Sequence, residues 1–154
     1  MQFATASPAP RLDLGLAVLR IVTGIVFAAH GAQKLFVFGF DGVAGAFGQM
    51  GIPYPALAGP AVALVEFFGG LALVSGLLTR LAGLGLAAVM LGALVLVHLP
   101  AGFFLPNGFE FVFTLFGAAI TLVITCAGRF SLDALMAKHR ATQVEDARPL
   151  RRAA

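Results

Sequence analysis

The sequence has 154 residues, of which 60% are hydrophobic and 11% are charged, and its formal net charge is +3. Soluble domains contain about 45–50% apolar and about 25% charged residues, so this composition excludes a water-soluble enzyme, a disordered protein and a nucleic-acid-binding protein. The chain is therefore predicted to be a small integral membrane protein that has the lipid bilayer as its surroundings.

Four apolar stretches predict membrane-spanning helices, each of which needs about 20 mostly apolar residues. They cover residues 14–38, 58–78, 81–99 and 109–127. A cleaved signal peptide is the alternative for the first stretch, but no basic residue precedes Arg11. The predicted fold class is all-α, an integral membrane bundle of four transmembrane helices.

The connections between these stretches divide the chain further. Asp41 is expected to cap a short interfacial turn in the glycine-rich loop 39–57. Residues 131–140 are amphipathic and are expected to lie along the membrane surface. The predicted organisation is an N-terminal segment 1–13, a membrane domain 14–128, a juxtamembrane segment 129–140 and a disordered tail 141–154.

The distribution of Lys and Arg near the helix ends predicts the orientation of the chain. The loops 39–57 and 100–108 contain neither residue. The opposite side of the predicted bundle carries Arg11, Arg80, Arg129, Lys138 and Arg140. The protein is thus expected to be a multi-pass protein of the inner (plasma) membrane, with both termini in the cytoplasm.

Ionisable side chains are costly in lipid and by default indicate a functional site. Six of them lie in or at the ends of the predicted helices: Arg20, His30, Lys34, Glu66, His98 and Glu110. All except Arg20 are expected in the half of the membrane that faces away from the cytoplasm. Together they predict a polar pocket that opens to that side.

Small and hydroxylated residues are typical of helix contacts in membranes, so the faces that carry them are predicted to point into the bundle. Lys34 and Glu66 each share a helix face with glycines. The last helix carries a comparable stripe of Glu110, Thr114, Gly117, Thr121 and Thr125. The polar residues are therefore expected to face the interior of the bundle rather than lipid.

Each polar residue also has a structural interpretation. Lys34 and Glu66 form either a packing ion pair or a ligand and proton site. His98 can cap helix carbonyls, Glu110 suits the positive end of a helix dipole, and Arg20 can extend to headgroups. Two isolated histidines are weak evidence for haem, and Lys34 disfavours a metal cation, so no metal site and no catalytic residue are assigned. A quinone fits better, since its carbonyls need donors and its protons need a relay.

Several short motifs follow one another along the chain: Leu19-Arg20, residues 30–35 (His-Gly-Ala-Gln-Lys-Leu), residues 47–53 (Phe-Gly-Gln-Met-Gly-Ile-Pro), residues 66–70 (Glu-Phe-Phe-Gly-Gly), residues 76–80 (Gly-Leu-Leu-Thr-Arg), Val97-His98 and residues 128–133 (Gly-Arg-Phe-Ser-Leu-Asp). In their order and spacing the sequence resembles the DoxX family of small membrane proteins. The resemblance implies a four-helix bundle in the cytoplasmic membrane and a link to redox chemistry through a subunit of thiosulfate:quinone oxidoreductase. It also implies that the family's polar positions are Arg20, His30, Lys34, Glu66 and His98, whereas Glu110 is added from its membrane cost alone.

The leading interpretation is a redox-linked accessory subunit that binds a quinone-like or small lipophilic ligand and works with a redox partner protein. Lys34 and His30 would donate hydrogen bonds, and Glu66 would relay protons. His98 and Glu110 would line the mouth of the pocket. The alternatives are a non-catalytic membrane partner or assembly factor, and a small permease for a weak acid or sulfur compound. An assembly of several copies of the chain is compatible with each of them.

Overall fold

The computed structural model describes residues 8–152, and the regular elements in that range are all helical. The helices are α1 (Pro8–Ala32), α2 (Gly39–Gln49), α3 (Pro55–Ser75), α4 (Thr79–Ala93), α5 (Glu110–Thr125) and α6 (Leu132–Arg152). A π-helical segment, Gln33–Phe38, continues α1, and a second one, Leu94–His98, continues α4 into a short 3-10 turn, Leu99–Ala101. The prediction of an all-helical membrane protein is confirmed.

Three of the described helical stretches are long and apolar enough to cross a membrane: Pro10–Gln49, Pro55–Ser75 and Thr79–Ala101. The fourth apolar helix, α5, has 16 residues. At 1.5 Å per residue it is about 24 Å long, which is shorter than a bilayer core of about 30 Å. The count of four crossing helices therefore stays a prediction.

Glycines bring α1 and α3 into close contact. A Cβ atom on Gly31 would lie 2.3 Å from the backbone nitrogen of Phe67, and one on Gly70 would lie 2.3 Å from that of Ala28. These distances leave no room for a side chain at either glycine, so the backbones of α1 and α3 pack directly against each other, as is typical of helix contacts in membranes. The inward faces predicted for these two helices are confirmed, because Gly31 and Gly70 are buried.

The α3 helix ends earlier than the sequence predicts. Gly76 adopts φ 70°, and the amide of Leu77 donates to the carbonyl of Ala72 at 3.0 Å. This pattern of a left-handed glycine and a reverse hydrogen bond ends helices. Residues 76–78 thus form the turn between α3 and α4, whereas the sequence predicted them as the last residues of a helix.

The α5 helix packs antiparallel to α4. The Arg80 side chain at the start of α4 donates from Nε to the carbonyl of Val123, near the end of α5, at 3.1 Å. Their shared interior is apolar and contains Leu86, Met90, Leu115, Ala119 and Leu122. Since α1 packs on α3, α3 packs on α4 and α4 packs on α5, the order of helices around the bundle is α1, α3, α4 and α5.

The prediction that the hydroxylated stripe of α5 faces inward is wrong. Thr114, Gly117, Thr121 and Thr125 are exposed, and Leu115 and its apolar neighbours occupy the interior instead. The three threonine hydroxyls donate to carbonyls four residues earlier, at 2.7–2.8 Å. A threonine bonded within its own helix has no unsatisfied donor, so lipid tolerates it.

The α2 helix replaces the predicted interfacial turn, and Asp41 does not cap it. Phe38 occupies the N-cap position, and Asp41 lies within the first turn. Gly39 has φ 66°, a value that glycine adopts without steric cost and that lets the chain change direction after α1.

The α6 helix extends beyond the predicted amphipathic segment. It runs from Leu132 to Arg152, through residues that were expected to be a disordered tail. Alanine, glutamine, glutamate and arginine, which favour helix, make up much of residues 141–152. Residues 1–7 and 153–154 lie outside the described residues.

Candidate ligand cavity

A cavity of about 620 Å³ lies between the helices near one end of the bundle. This end, called here the loop end, is formed by the connections 50–54 and 99–109. Helices α1 to α5 all contribute to its lining, mostly with apolar side chains such as Phe27, Val62, Met90 and Leu115. The volume falls within the range of about 300–1,000 Å³ that is usual for small-molecule sites.

Four of the six predicted site residues line this cavity: His30, Lys34, Glu66 and His98. They come from α1, α3 and α4, so the fold brings together side chains that are far apart in the sequence. Lys34 and His98 each lie in a π-helical segment. Such segments are rare and are frequent at functional sites, because the extra residue redirects a side chain.

Lys34 and Glu66 form an ion pair in which Nζ donates to Oε2. The side chain of Glu66 is 5% exposed and that of Lys34 is 20% exposed. Pairing lowers the cost of burying the two charges. An ammonium group has three N–H donors, and Glu66 accepts from one of them, so Lys34 can also donate to a ligand in the cavity.

His30 contributes to the side wall of the cavity between α1 and α5. Its ring centroid lies 6.2 Å from that of Phe111, with an interplanar angle of 53°. Both side chains line the cavity, and both are exposed residues. The side of the cavity between α1 and α5 is therefore formed in part by exposed side chains.

His98 and Glu110 hold the connection 99–109 over the cavity. Nδ1 of His98 lies 3.0 Å from the carbonyl oxygen of Asn107. Glu110 accepts the backbone N–H of Leu105 on Oε1 at 2.9 Å. Leu105 is itself a lining residue, whereas Glu110 does not line the cavity. The structure thus gives Glu110 a place behind the loop rather than in the mouth.

Arg20 lies away from the cavity, at the opposite end of the bundle, which is called here the Arg20 end. Its side chain is 2% exposed and does not extend to the membrane surface. Nη1 donates to the carbonyls of Leu73 and Val74, the latter at 2.9 Å, and Nη2 donates to that of Phe130 at 2.6 Å. The guanidinium therefore satisfies carbonyls at the end of α3 and joins α1 to the segment before α6.

Asp133 completes this arrangement, and the sequence alone did not assign it a role. Its two carboxylate oxygens accept the amides of Leu78 and Thr79 at 2.8 and 3.1 Å, so it caps α4 from another helix. Its own amide donates to the carbonyl of Gly76 at 2.9 Å. These contacts, with those of Arg20, are called here the Arg20 joint. The partners are 53 residues apart or more in the sequence, so no local pattern of residues could reveal these bonds.

Hydrogen bonding and proton transfer are the chemistry that the lining side chains can supply. Within residues 8–152 no group of three or more His, Cys, Asp or Glu side chains could hold a metal ion. Lys34 and His30 offer donors, and Glu66 offers a carboxylate within an apolar cavity.

The sequence matches two family profiles. The DoxX profile matches residues 15–99, and the profile described as TQO small subunit DoxD matches residues 60–150. Both matches include Glu66 and His98, and the first also includes Arg20, His30 and Lys34.

Three bacterial proteins are similar over most of the chain. CatD of Bacillus subtilis, named as a candidate oxidoreductase, is 32% identical over 126 residues, which cover 82% of this chain and 90% of CatD. The inner membrane protein YqjF of Escherichia coli is 34% identical over 132 residues (82% of this chain, 95% of YqjF). An uncharacterized membrane protein of Mycobacterium tuberculosis is 34% identical over 137 residues (80% and 82%). No solved structure matches the chain.

Proposed function

The chain belongs to the DoxX family, and from this premise we propose that it is a redox-linked accessory protein of the inner membrane whose cavity binds a quinone-like or similar lipophilic ligand. The observation that carries the proposal is the position of the Lys34–Glu66 ion pair in the wall of a largely apolar cavity. A pair that served packing alone would need no cavity beside it. A ring with carbonyl groups fits such a site, because the apolar lining buries the ring and the ammonium group meets a carbonyl oxygen.

The lining residues would divide the work in the following way. Lys34 and His30 donate hydrogen bonds to the ring oxygens. Reduction of a quinone to a quinol takes up two electrons, which a redox partner supplies, and two protons, which come from water at the loop end and reach the nearest ring oxygen through Glu66. His98 and Glu110 keep the connection 99–109 in place at that end.

The electrons are proposed to come from a partner protein. One of the matching profiles is described as a small subunit, and one relative bears the name of an oxidoreductase. Both descriptions belong to those proteins, and they support a role for this chain beside a redox partner. The permease alternative receives less support, because Arg20 and Asp133 bond α1, α3, α4 and α6 to one another at the end of the bundle opposite to the cavity.

We also propose that α5 crosses the membrane as a fourth helix and that both termini are cytoplasmic. Asp13 accepts the amide of Arg129 at 3.0 Å, so the start of α1 and the end of α5 lie at the same end of the bundle as the turn before Thr79. The five basic residues Arg11, Arg80, Arg129, Lys138 and Arg140 belong to that end. A green fluorescent protein fused to the C-terminus is expected to fluoresce, and a dark but expressed fusion would contradict this orientation.

Native mass spectrometry of the protein released from mild detergent tests the cavity directly. The wild type is expected to carry a reproducible added mass that matches a quinone or another small lipophilic molecule. Glu66→Gln and Lys34→Met are expected to lose this mass while remaining folded. The matched control is Thr121→Val, which alters an exposed residue of α5 outside the cavity and is expected to retain the mass.

Two outcomes would count against the proposal. Detection of the wild-type protein at its bare chain mass, together with a stoichiometric co-purified membrane protein, would favour the alternative of a non-catalytic membrane partner or assembly factor. Unfolding of both Glu66→Gln and Lys34→Met would show that the ion pair serves packing.

A further inference from the structure

The wall of the cavity has a distinct weak point between α1 and α5. His30 and Phe111 both line the cavity, and both are exposed residues. Phe111 is 41% exposed. The two rings contact each other between α1 and α5, with centroids 6.2 Å apart. Rotation of either side chain about its own χ angles would widen the gap between the two helices at this point.

The two helices are fastened to each other at the other end of the bundle. Asp13 of α1 accepts the amide of Arg129 just after α5, at 3.0 Å. A Cβ atom on Gly128 would lie 3.5 Å from that of Leu16, an ordinary van der Waals distance, so the two segments are also in contact there. Near the cavity a ring contact takes the place of these hydrogen bonds. The helices can therefore separate locally at His30 and Phe111 while the Arg20 end holds them together.

The connection 99–109 at the loop end is held by hydrogen bonds. It is bonded to His98 through Asn107 and to Glu110 through Leu105, and the amides of Phe109 and Glu110 donate to the carbonyls of Gly102 and Phe103. Displacing this connection breaks hydrogen bonds, whereas separating α1 from α5 at His30 breaks a ring contact. The side wall is flanked by exposed apolar side chains of the same helices, such as Ile25 and Phe113, so lipid rather than water lies outside it.

We propose that the ligand is an amphiphile taken from the bilayer, with an uncharged ring beside Lys34 and Glu66 and one hydrocarbon tail that leaves the cavity between His30 and Phe111. This inference rests on the proposed function of the cavity and adds the class of ligand and its route. The head is uncharged because Lys34 and Glu66 neutralise each other. It carries hydrogen-bond acceptors because Lys34 and His30 are donors. The tail is hydrocarbon because the rim residues and the lipid beyond them are apolar.

The test uses two probes in lipid nanodiscs. One is a dimethoxy-methyl-benzoquinone with a ten-carbon chain, and the other is the same ring with a methyl group in place of the chain. Exchange of a bound, deuterium-labelled probe for the unlabelled one is followed by native mass spectrometry. Phe111→Trp is expected to slow exchange of the tailed probe at least tenfold, and Phe111→Ala is expected to accelerate it at least tenfold.

Phe113→Trp is the matched control. Phe113 lies on the same helix as Phe111 and is 52% exposed, but it does not line the cavity. It is expected to leave exchange of the tailed probe within a factor of two of the wild type, and Met50→Trp probes an entrance at the loop end. Thermal unfolding of each variant checks that it folds. Should Phe111→Trp fail to fold, Phe111→Ala and His30→Ala still decide the question, since both must accelerate exchange.

The outcomes separate this inference from the proposed function. Binding of both probes, with exchange slowed by Met50→Trp and unchanged by the Phe111 substitutions, would place the entrance at the loop end and overturn the side route while the ligand site stands. Failure of the wild type to bind either probe would overturn the quinone-like ligand itself, and the side route with it.

Discussion

Charged side chains are buried at both ends of the bundle, but their bonding partners differ between the two ends. At the Arg20 end, the guanidinium and the Asp133 carboxylate bind backbone carbonyls and amides at the ends of α3 and α4. At the loop end, Lys34 and Glu66 bind each other beside a cavity of about 620 Å³. A more open depression of about 490 Å³ adjoins Thr79 and Asp133, but the Asp133 carboxylate there is already bonded to backbone amides. Lys34 and Glu66, by contrast, border the larger apolar cavity with a donor still available.

This difference separates a structural charge from a candidate functional one. The free energy of placing a charge in a membrane singles out the charged residues at both ends equally, because it depends on residue type and depth alone. The group to which each charge is bonded distinguishes the structural residues from the candidate functional ones. A backbone group at a helix end cannot be replaced by a ligand without loss of the helix end, whereas a side chain that borders a cavity can turn towards one.

Replacement of Arg20 should have the largest effect on stability. Arg20→Met removes the guanidinium from one buried and two partly buried hydrogen bonds, to the carbonyls of Leu73, Val74 and Phe130. An unsatisfied buried group costs about 1–3 kcal/mol, so we expect the free energy of unfolding to fall by roughly 3 kcal/mol, seen as earlier thermal unfolding in detergent. Arg129→Met, which removes an exposed arginine from the same end, should change it little. Equal unfolding temperatures for the two variants would contradict a structural role for the joint.

A methyl group at Gly31 should have an intermediate effect and should act on both properties. The added Cβ would lie 2.3 Å from the backbone of Phe67, so α1 must move away from α3, and overpacking of this kind costs typically 1–3 kcal/mol. Because Lys34 lies one turn further along α1, the movement also separates it from Glu66. Gly31→Ala is therefore expected to lower both the unfolding temperature and ligand binding.

Gly15→Ala provides the matched control for this substitution. Gly15 lies on the same helix, and a Cβ atom there would meet nothing within 4 Å. Alanine in an open helical position is expected to stabilise by roughly 0.5–1 kcal/mol. Similar losses in Gly15→Ala and Gly31→Ala would show that close packing of α1 on α3 does not decide the result.

Replacing both members of the Lys34–Glu66 ion pair should have the smallest effect on stability and the largest effect on ligand binding. The double substitution Lys34→Met with Glu66→Leu replaces the ion pair by apolar side chains, a change that is often neutral or stabilising. We expect thermal unfolding to stay close to that of the wild type, while the small-molecule mass observed in native spectra disappears. Retention of that mass in the double variant would show that the ligand does not depend on the ion pair.

The sequence predicted most of the candidate site but little of its bonding. Membrane cost selected His30, Lys34, Glu66 and His98, and the fold brings these four to one cavity. It also selected Arg20, whose contacts are with backbone atoms of residues 73, 74 and 130. Residue type and depth were the same kind of evidence in each case, so they could not separate the two roles.

The hydroxylated stripe of α5 shows the same limit in another form. Small and hydroxylated residues at helical spacing suit both a helix contact and a lipid-facing surface, because a threonine can bond to its own backbone. Here the larger apolar residues Leu115 and Leu122 fill the interior against α4, and Thr121 faces outward. The choice depended on the volume available beside α4, which the sequence of α5 does not contain.

The helical membrane class, the approximate positions of the main helices and the DoxX family follow from the sequence, because apolar length and motif order are properties of neighbouring residues. The cap that Asp133 forms on α4, the bond from Glu110 to the loop and the contact of His30 with Phe111 exist only in the folded chain. Phe111 lies 81 residues after its partner His30, and Leu78 lies 55 residues before its partner Asp133. Contacts over such separations are set by how whole helices pack, and no local pattern of residues encodes them.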